Sequence, residues 1–172
     1  MKKMLICIPS LITGGAEKSL YNFINHYKTK FDISLLVYSE RNNHYGNIIK
    51  DIKIDYFIKK EWPFFFEKNI GRIFRILPAK LIYKIVKKTS IFKRERYDIE
   101  FSYLESISTK IIAGSDNKHS KKVAYIHCDF GTHWYSRKSY LNYFEEYKCY
   151  KKFDNILAVS SEQVQPFINR FP

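Results

Sequence analysis

Two short stretches of this sequence bring together residue types that can act on a ligand. The first is Thr13-Gly14-Gly15-Ala16-Glu17-Lys18-Ser19, which follows an apolar run and opens an amphipathic one. Adjacent glycines let the backbone approach a ligand closely, and a helix beginning there offers free N–H groups and a positive dipole end to an anion. The pattern is not G-x-G-x-x-G, because the glycines are adjacent. Nor is it a Walker loop, because Glu17 precedes Lys18-Ser19 and the earlier glycine is missing. A tight turn needing positive φ accounts for the same pair equally well. The second stretch is His127-Cys128-Asp129, just after an apolar run. A neutral imidazole there can donate a hydrogen bond to a substrate hydroxyl, with Asp129 orienting it; a structural histidine satisfied by nearby backbone is the plainer reading. Cys128 is read as a buried, unreactive thiol, since neighbours on a strand point to opposite faces and it diverges from His127. His127, Asp129 and His133 form a flexible H-x-D-x3-H loop with no second ligand cluster, so no metal is expected.

The elements that must position these residues alternate. Lys3–Pro9, Phe31–Tyr38, Ile52–Ile58, Tyr97–Tyr103, Lys122–His127 and Asn155–Val159 read as strands. Between them, Leu20, Phe23, Ile24 and Tyr27 fall at helical spacing, Asn47–Asp51 reads as a short helix, and Gly71–Lys88 as a helical stretch interrupted at Pro78. Ser106–Gly114 and Leu141–Tyr150 are further helices, and Ser160 and Ser161 can cap a last one. Glu61–Asn69, with its run Trp62-Pro63-Phe64-Phe65-Phe66, is an aromatic break. The strand–helix alternation predicts an α/β fold, a doubly wound, mostly parallel Rossmann-like sheet with helices on both faces. In such sheets ligands bind beyond the carboxyl ends of the strands, which is where Gly14, Gly15 and His127 fall.

Length, charge and cysteine usage bound the function. The 172 residues suit one domain, with no internal boundary, repeat or low-complexity linker. No apolar run approaches the roughly 20 residues of a membrane span. Three cysteines without a C-x-x-C pair suit a reducing compartment, so a cytoplasmic location is expected. A net charge of +13 implies an anionic partner. Much of it lies in Arg72, Arg75, Lys80, Lys84, Lys87, Lys88, Lys93, Arg94 and Arg96, interleaved with Phe74, Leu77, Leu81 and Ile85. Such a segment fits docking on an anionic membrane, with Arg72, Arg75, Lys84, Lys87 and Lys88 as contacts, and it fits a core helix with a solvated basic back at least as well. Nucleic acid ranks third, because no recognised binding motif accompanies the charge.

Four segments in order resemble glycosyltransferase family 4, the retaining group 1 enzymes of the GT-B fold: Lys3–Lys18, Tyr97–Ile112, Lys121–Phe130 and Phe153–Val164. The resemblance implies the N-terminal, acceptor-side half of a two-domain enzyme. Gly14 and Gly15 would border the phosphates of a nucleotide-sugar donor, with Lys18 where the family often has a basic residue. His127 would be the catalytic-site histidine that hydrogen-bonds the transferred sugar. Glu105, Ser108, Thr109 and Asp129 would lie near the acceptor, a glycolipid or polysaccharide. The family's paired glutamates, spaced E-x7-E in the donor-binding second domain, occur nowhere in the sequence. The expectation is therefore one domain, 1–172, without its donor-binding partner domain, without cofactor or metal, and inactive alone. The competing readings are a non-catalytic membrane-docking or partner-binding module and a basic nucleic-acid-binding α/β protein.

Overall fold

The computed structural model describes residues 1–46, 49, 51–132 and 134–172. Six strands form one sheet: β1 (Lys2–Ile8), β2 (Phe31–Ser39), β3 (Lys53–Ile58), β4 (Ile99–Ser102), β5 (Lys121–Ile126) and β6 (Asn155–Ala158). Their order is β3-β2-β1-β4-β5-β6, and every neighbouring pair is parallel. All carboxyl ends therefore share one rim. The helices are α1 (Gly15–Tyr27), α2 (Phe64–Ile76), α3 (Ala79–Thr89), α4 (Ile107–Ala113), α5 (Tyr143–Tyr150) and α6 (Val164–Arg170), with 3₁₀ turns at Tyr135–Ser139 and Ser161–Gln163.

Burial on both faces explains the apolar runs of β1 and β2. Met4, Ile6 and Ile8 of β1 pack with Leu20 and Ile24 of α1. Leu5 and Cys7 point the other way, into a cluster with Ile82 and Val86 of α3 and Ile111 and Ile112 of α4. Further along the sheet, Ala124 and Ile126 meet Tyr150 of α5 and Phe167 of α6. On the α1 side, Leu157 and Val159 at the β6 end are exposed, and Tyr125 and His127 of the neighbouring strand are only half-buried.

Three expectations are corrected. Phe64–Phe66 do not form a break: they are the first turn of α2, which follows Pro63 directly. Proline fixes φ and lacks the N–H that a first turn would leave unpaired, so it is a helix-start signal. Ser160 makes no side-chain cap, and the chain enters α6 through a 3₁₀ turn instead. No described glycine has positive φ, so the reading of Gly14-Gly15 as a strained turn fails. The interruption at Pro78 does separate α2 from α3. Of the expected helix Asn47–Asp51, the residues Asn47, Ile48 and Lys50 lie outside the described residues, as does His133.

Candidate functional site at the carboxyl rim

The ends of β4 and β5 are joined by one carboxylate. Glu105, buried beyond the end of β4, accepts hydrogen bonds from the backbone N–H of His127 and, at 2.6 Å, of Cys128. A charged acceptor on two amides is among the stronger protein hydrogen bonds, so it fixes where the first residues after β5 run. Ser106 follows with φ 83°, a left-handed conformation that is costly for a side chain with a Cβ. Its hydroxyl caps α4 by accepting from the Ile107 N–H at 2.5 Å and lies 2.9 Å from the Ser139 hydroxyl. The chain is thus turned sharply at the rim, with backbone strain located there.

His127 stands on the α1 side of this turn. Its ring lies 4.3 Å from that of Tyr125 and 5.6 Å from that of Tyr103. The Tyr103 hydroxyl is 2.9 Å from that of Ser19, one turn into α1 from Gly15. Burial pushes the His127 pKa down, opposed by the charge of Glu105 and by a hydrogen bond to the Tyr103 backbone. That backbone bond engages one ring nitrogen, while Nε2 is buried without a partner. His127 therefore presents an unpartnered ring nitrogen to a ligand hydroxyl. An unsatisfied buried polar atom costs about 1–3 kcal/mol, which a ligand hydroxyl would relieve.

The start of α1 is partly occupied. Glu17 folds back, accepting from its own N–H, and burial raises its pKa. A Cβ on Gly14 would collide with this carboxylate, whereas Gly15 faces open space. Close approach, not backbone strain, is what Gly14 provides. Lys18 is exposed on the first turn, its N–H bonded to the Gly14 carbonyl at 3.1 Å.

The remaining expected site residues are distributed differently. Ser108 is 0% and Thr109 1% exposed; their hydroxyls bond to Ser102 and to the Leu104 carbonyl, so they hold the β4–α4 turn. Asp129 does not orient His127: its carboxylate accepts from the Gly131 N–H at 2.7 Å and the Thr132 hydroxyl at 2.9 Å within its own loop. Burial and Glu105 push the Cys128 thiol up to about 12, which keeps it protonated and non-nucleophilic. Among the described residues no group of His, Cys, Asp and Glu is placed to hold a metal.

A cleft of about 610 Å³ opens beside the rim on the α2 side, lined by Ser10, Ser39, Ser106, Ser139 and Phe64. Arg41, Lys68, Arg72 and Lys138 line it too, against one acid, Glu67, which is paired with Arg41 at 2.5 Å. Sequence reasoning missed Arg41 and Lys138 because neither lies near a motif. The basic segment does not act as a unit. Arg72 joins this cleft, and Arg75 donates to the Tyr140 carbonyl at 3.1 Å. Lys84, Lys87 and Lys88 instead surround a separate hollow with Asp116, and Phe74 is core.

No protein-family model and no curated protein matches the chain in sequence. Solved structures do match its fold over 99% of its length. The Anabaena protein Alr3699/HepE, solved with UDP and glucose and also with UDP-glucose, superposes with a TM-score of 0.65 at 15% identity. The lipopolysaccharide outer core galactosyltransferase WaaB, in its apo form, superposes with 0.59 at 16%. The chain spans only 41% and 42% of those two proteins. Its six-stranded parallel sheet with helices on both faces is thus a Rossmann-like α/β fold that matches one half of a GT-B fold.

Proposed function

We propose that this domain is the acceptor-side half of a retaining glycosyltransferase, which moves a sugar from a nucleotide-sugar donor to a glycolipid or polysaccharide at the cytoplasmic face of a membrane. The observation that carries the reading is His127. It is clamped through its backbone by Glu105, packed against the ring of Tyr103, and left with an unpartnered Nε2 one contact away from the start of α1. The start of α1 at Gly15 suits a donor phosphate, and the unpartnered Nε2 suits a hydroxyl of the transferred sugar. The hydroxyl-lined cleft beyond Ser106 suits the acceptor. Glu17 would have to move or take up a proton as an anion arrived, so it tunes that site.

A cleft reaction needs groups on both walls around the transition state, and this wall lacks the paired glutamates of the donor side. The isolated chain should therefore turn over no donor while still binding it weakly. Amide shift mapping with UDP-glucose at millimolar concentration tests both points. Perturbations at Gly14, Gly15 and His127 that vanish in His127→Ala, with no sugar transferred, are the expected result. Shifts confined to α3, or measurable turnover by residues 1–172, would overturn it.

A further inference from the structure

We infer that the cleft between the strand ends and α2 selects an acidic saccharide, a sugar carrying a carboxylate or a phosphate, and that Lys68, Arg72 and Lys138 read its charge. The walls offer what a sugar ring needs. Ser106 and Ser139 bond to each other at 2.9 Å, and Ser106 also accepts from the Ile107 N–H. Two hydroxyls so engaged still have one O–H and several lone pairs to spare. Tyr38, at the end of β2, lines the same space, and its buried hydroxyl has no partner. Native structures rarely leave such a group unpaired, so it marks a place for a ligand's polar atom. Phe64, 67% exposed, adds an aromatic face beside these polar groups. Convergent polar groups next to an aromatic wall are the usual make-up of a small-molecule site.

Charge narrows the class of sugar. Arg41 is already engaged: it pairs with Glu67 at 2.5 Å, donates to the Trp62 carbonyl, and lies 5.6 Å from the Phe64 ring. That leaves Lys68, Arg72 and Lys138 lining the cleft with no acidic partner among the described residues. Lys68 and Arg72 stand four apart on α2, so they share one face of the helix. Three like charges around one space repel, and an anion placed among them relieves this. The arginine fork also matches the paired oxygens of a carboxylate or phosphate. A neutral sugar would leave the cations idle, and a bare inorganic anion would leave the Tyr38 hydroxyl and Phe64 idle. The inference deepens the proposed function by giving the acceptor a negative charge, and it depends on that reading only in calling the bound sugar an acceptor.

The test is amide shift titration of the whole chain with four probes at matched ionic strength: glucuronic acid, glucose 6-phosphate, methyl glucoside and inorganic phosphate. Both acidic sugars should shift Ser10, Ser39 and Ser106, and the tighter of the two identifies the anionic group. They should bind at least about tenfold more tightly than methyl glucoside, the worth of one charge-assisted hydrogen bond. Lys68→Glu/Arg72→Glu should erase that preference. Both side chains are exposed, so unchanged circular dichroism will confirm that the variant folds. Tyr38→Phe should weaken the acidic sugars and leave inorganic phosphate as it was. Lys84→Glu/Lys87→Glu/Lys88→Glu, which changes the charge on α3 instead, should bind like the parent. Equal binding of glucuronic acid and methyl glucoside overturns the inference. So does inorganic phosphate binding as tightly as glucose 6-phosphate, loss in the α3 variant with retention in the α2 variant, or no shift from either acid. None of these failures alters the UDP-glucose shifts expected at Gly14, Gly15 and His127, so the two readings fall separately.

Discussion

The two helices of the basic segment differ in what they bury, although both mix basic and apolar residues. α3 buries Ala79, Ile82, Tyr83 and Val86 against the sheet and α4, and turns its lysines to solvent. α2 buries only Phe74 and leaves five of its large apolar side chains exposed. It is held from its carboxyl end instead. Lys110 of α4, fully buried, donates to the Phe74 and Arg75 carbonyls at 2.9 and 3.0 Å and to that of Ser139 at 3.1 Å, and pairs with Glu145 at 2.8 Å. Charge along a helix thus says little about its role. What decides it is whether the apolar face already has a partner.

The largest expected effect attacks that anchorage. Lys110→Ala removes the donor to three carbonyls and the ion-pair partner of Glu145 at the junction of α2, α4 and α5. Breaking a buried pair costs about 3–5 kcal/mol, so urea unfolding should place the variant that far below the parent. A loss below about 1 kcal/mol would mean that α2 is held by something else. Next comes the direct contrast. Ile82→Ala in α3 should cost about 2–5 kcal/mol through cavity formation, and Phe65→Ala in α2 within about 0.5 kcal/mol of nothing. Comparable losses at the two positions would erase the distinction.

The sheet was legible in the sequence because β1 and β2 are largely apolar, the β4 segment alternates, and segments of helical spacing separate most of the strands. α3 was legible because its buried residues recur every three or four. The start of α2 was not, since Phe64, Phe65 and Phe66 occupy successive directions around the helix and hide its period; Pro63 was the available signal. His127 was legible as a rim residue, but its partners were not. Its clamp comes from Glu105, 22 residues earlier, and only the β4–β5 pairing brings the two together. Ser108 and Thr109 entered as acceptor-side residues through the family resemblance alone. The pattern Ile107, Ile111, Ile112 on the same short helix leaves their hydroxyls facing inward, where Ser102 and Leu104 engage them.

A smaller loss should come from Gly114→Ala. The helices α3 and α4 meet so closely there that a Cβ would collide with the Ala79 carbonyl and backbone would have to shift. Overpacking of this kind costs about 1–3 kcal/mol. The variant should melt lower with the same glucuronic acid binding, because the strain falls on the α3 side of the comparison. If that binding fell with it, the two helices would be mechanically coupled.

The smallest effect is on the pH dependence of stability, and it asks whether the rim is independent of α2. Burial raises the Glu17 pKa above its ordinary 4.5, so from pH 4.5 up to its folded value the native chain binds more protons than the unfolded one. Stability falls as pH rises through that window, and the penalty persists above it. His127 is lowered from 6.5, so below pH 6.5 the unfolded chain binds more protons, and stability is lost as pH falls through its folded value. The two slopes oppose each other, and Glu146, also raised by burial, adds to the first. Only single-site differences separate them. Glu17→Gln should gain stability over the parent at pH 7 and none at pH 4, while His127→Gln should lose less than the parent between pH 6.5 and the acid side. Phe65→Ser/Phe66→Ser should trace the parent's curve throughout, because nothing at the α2 tip touches either group. A change in its slope between pH 4.5 and 6.5 would show that the α2 tip and the His127 site communicate, and the two regions would then have to be treated as one.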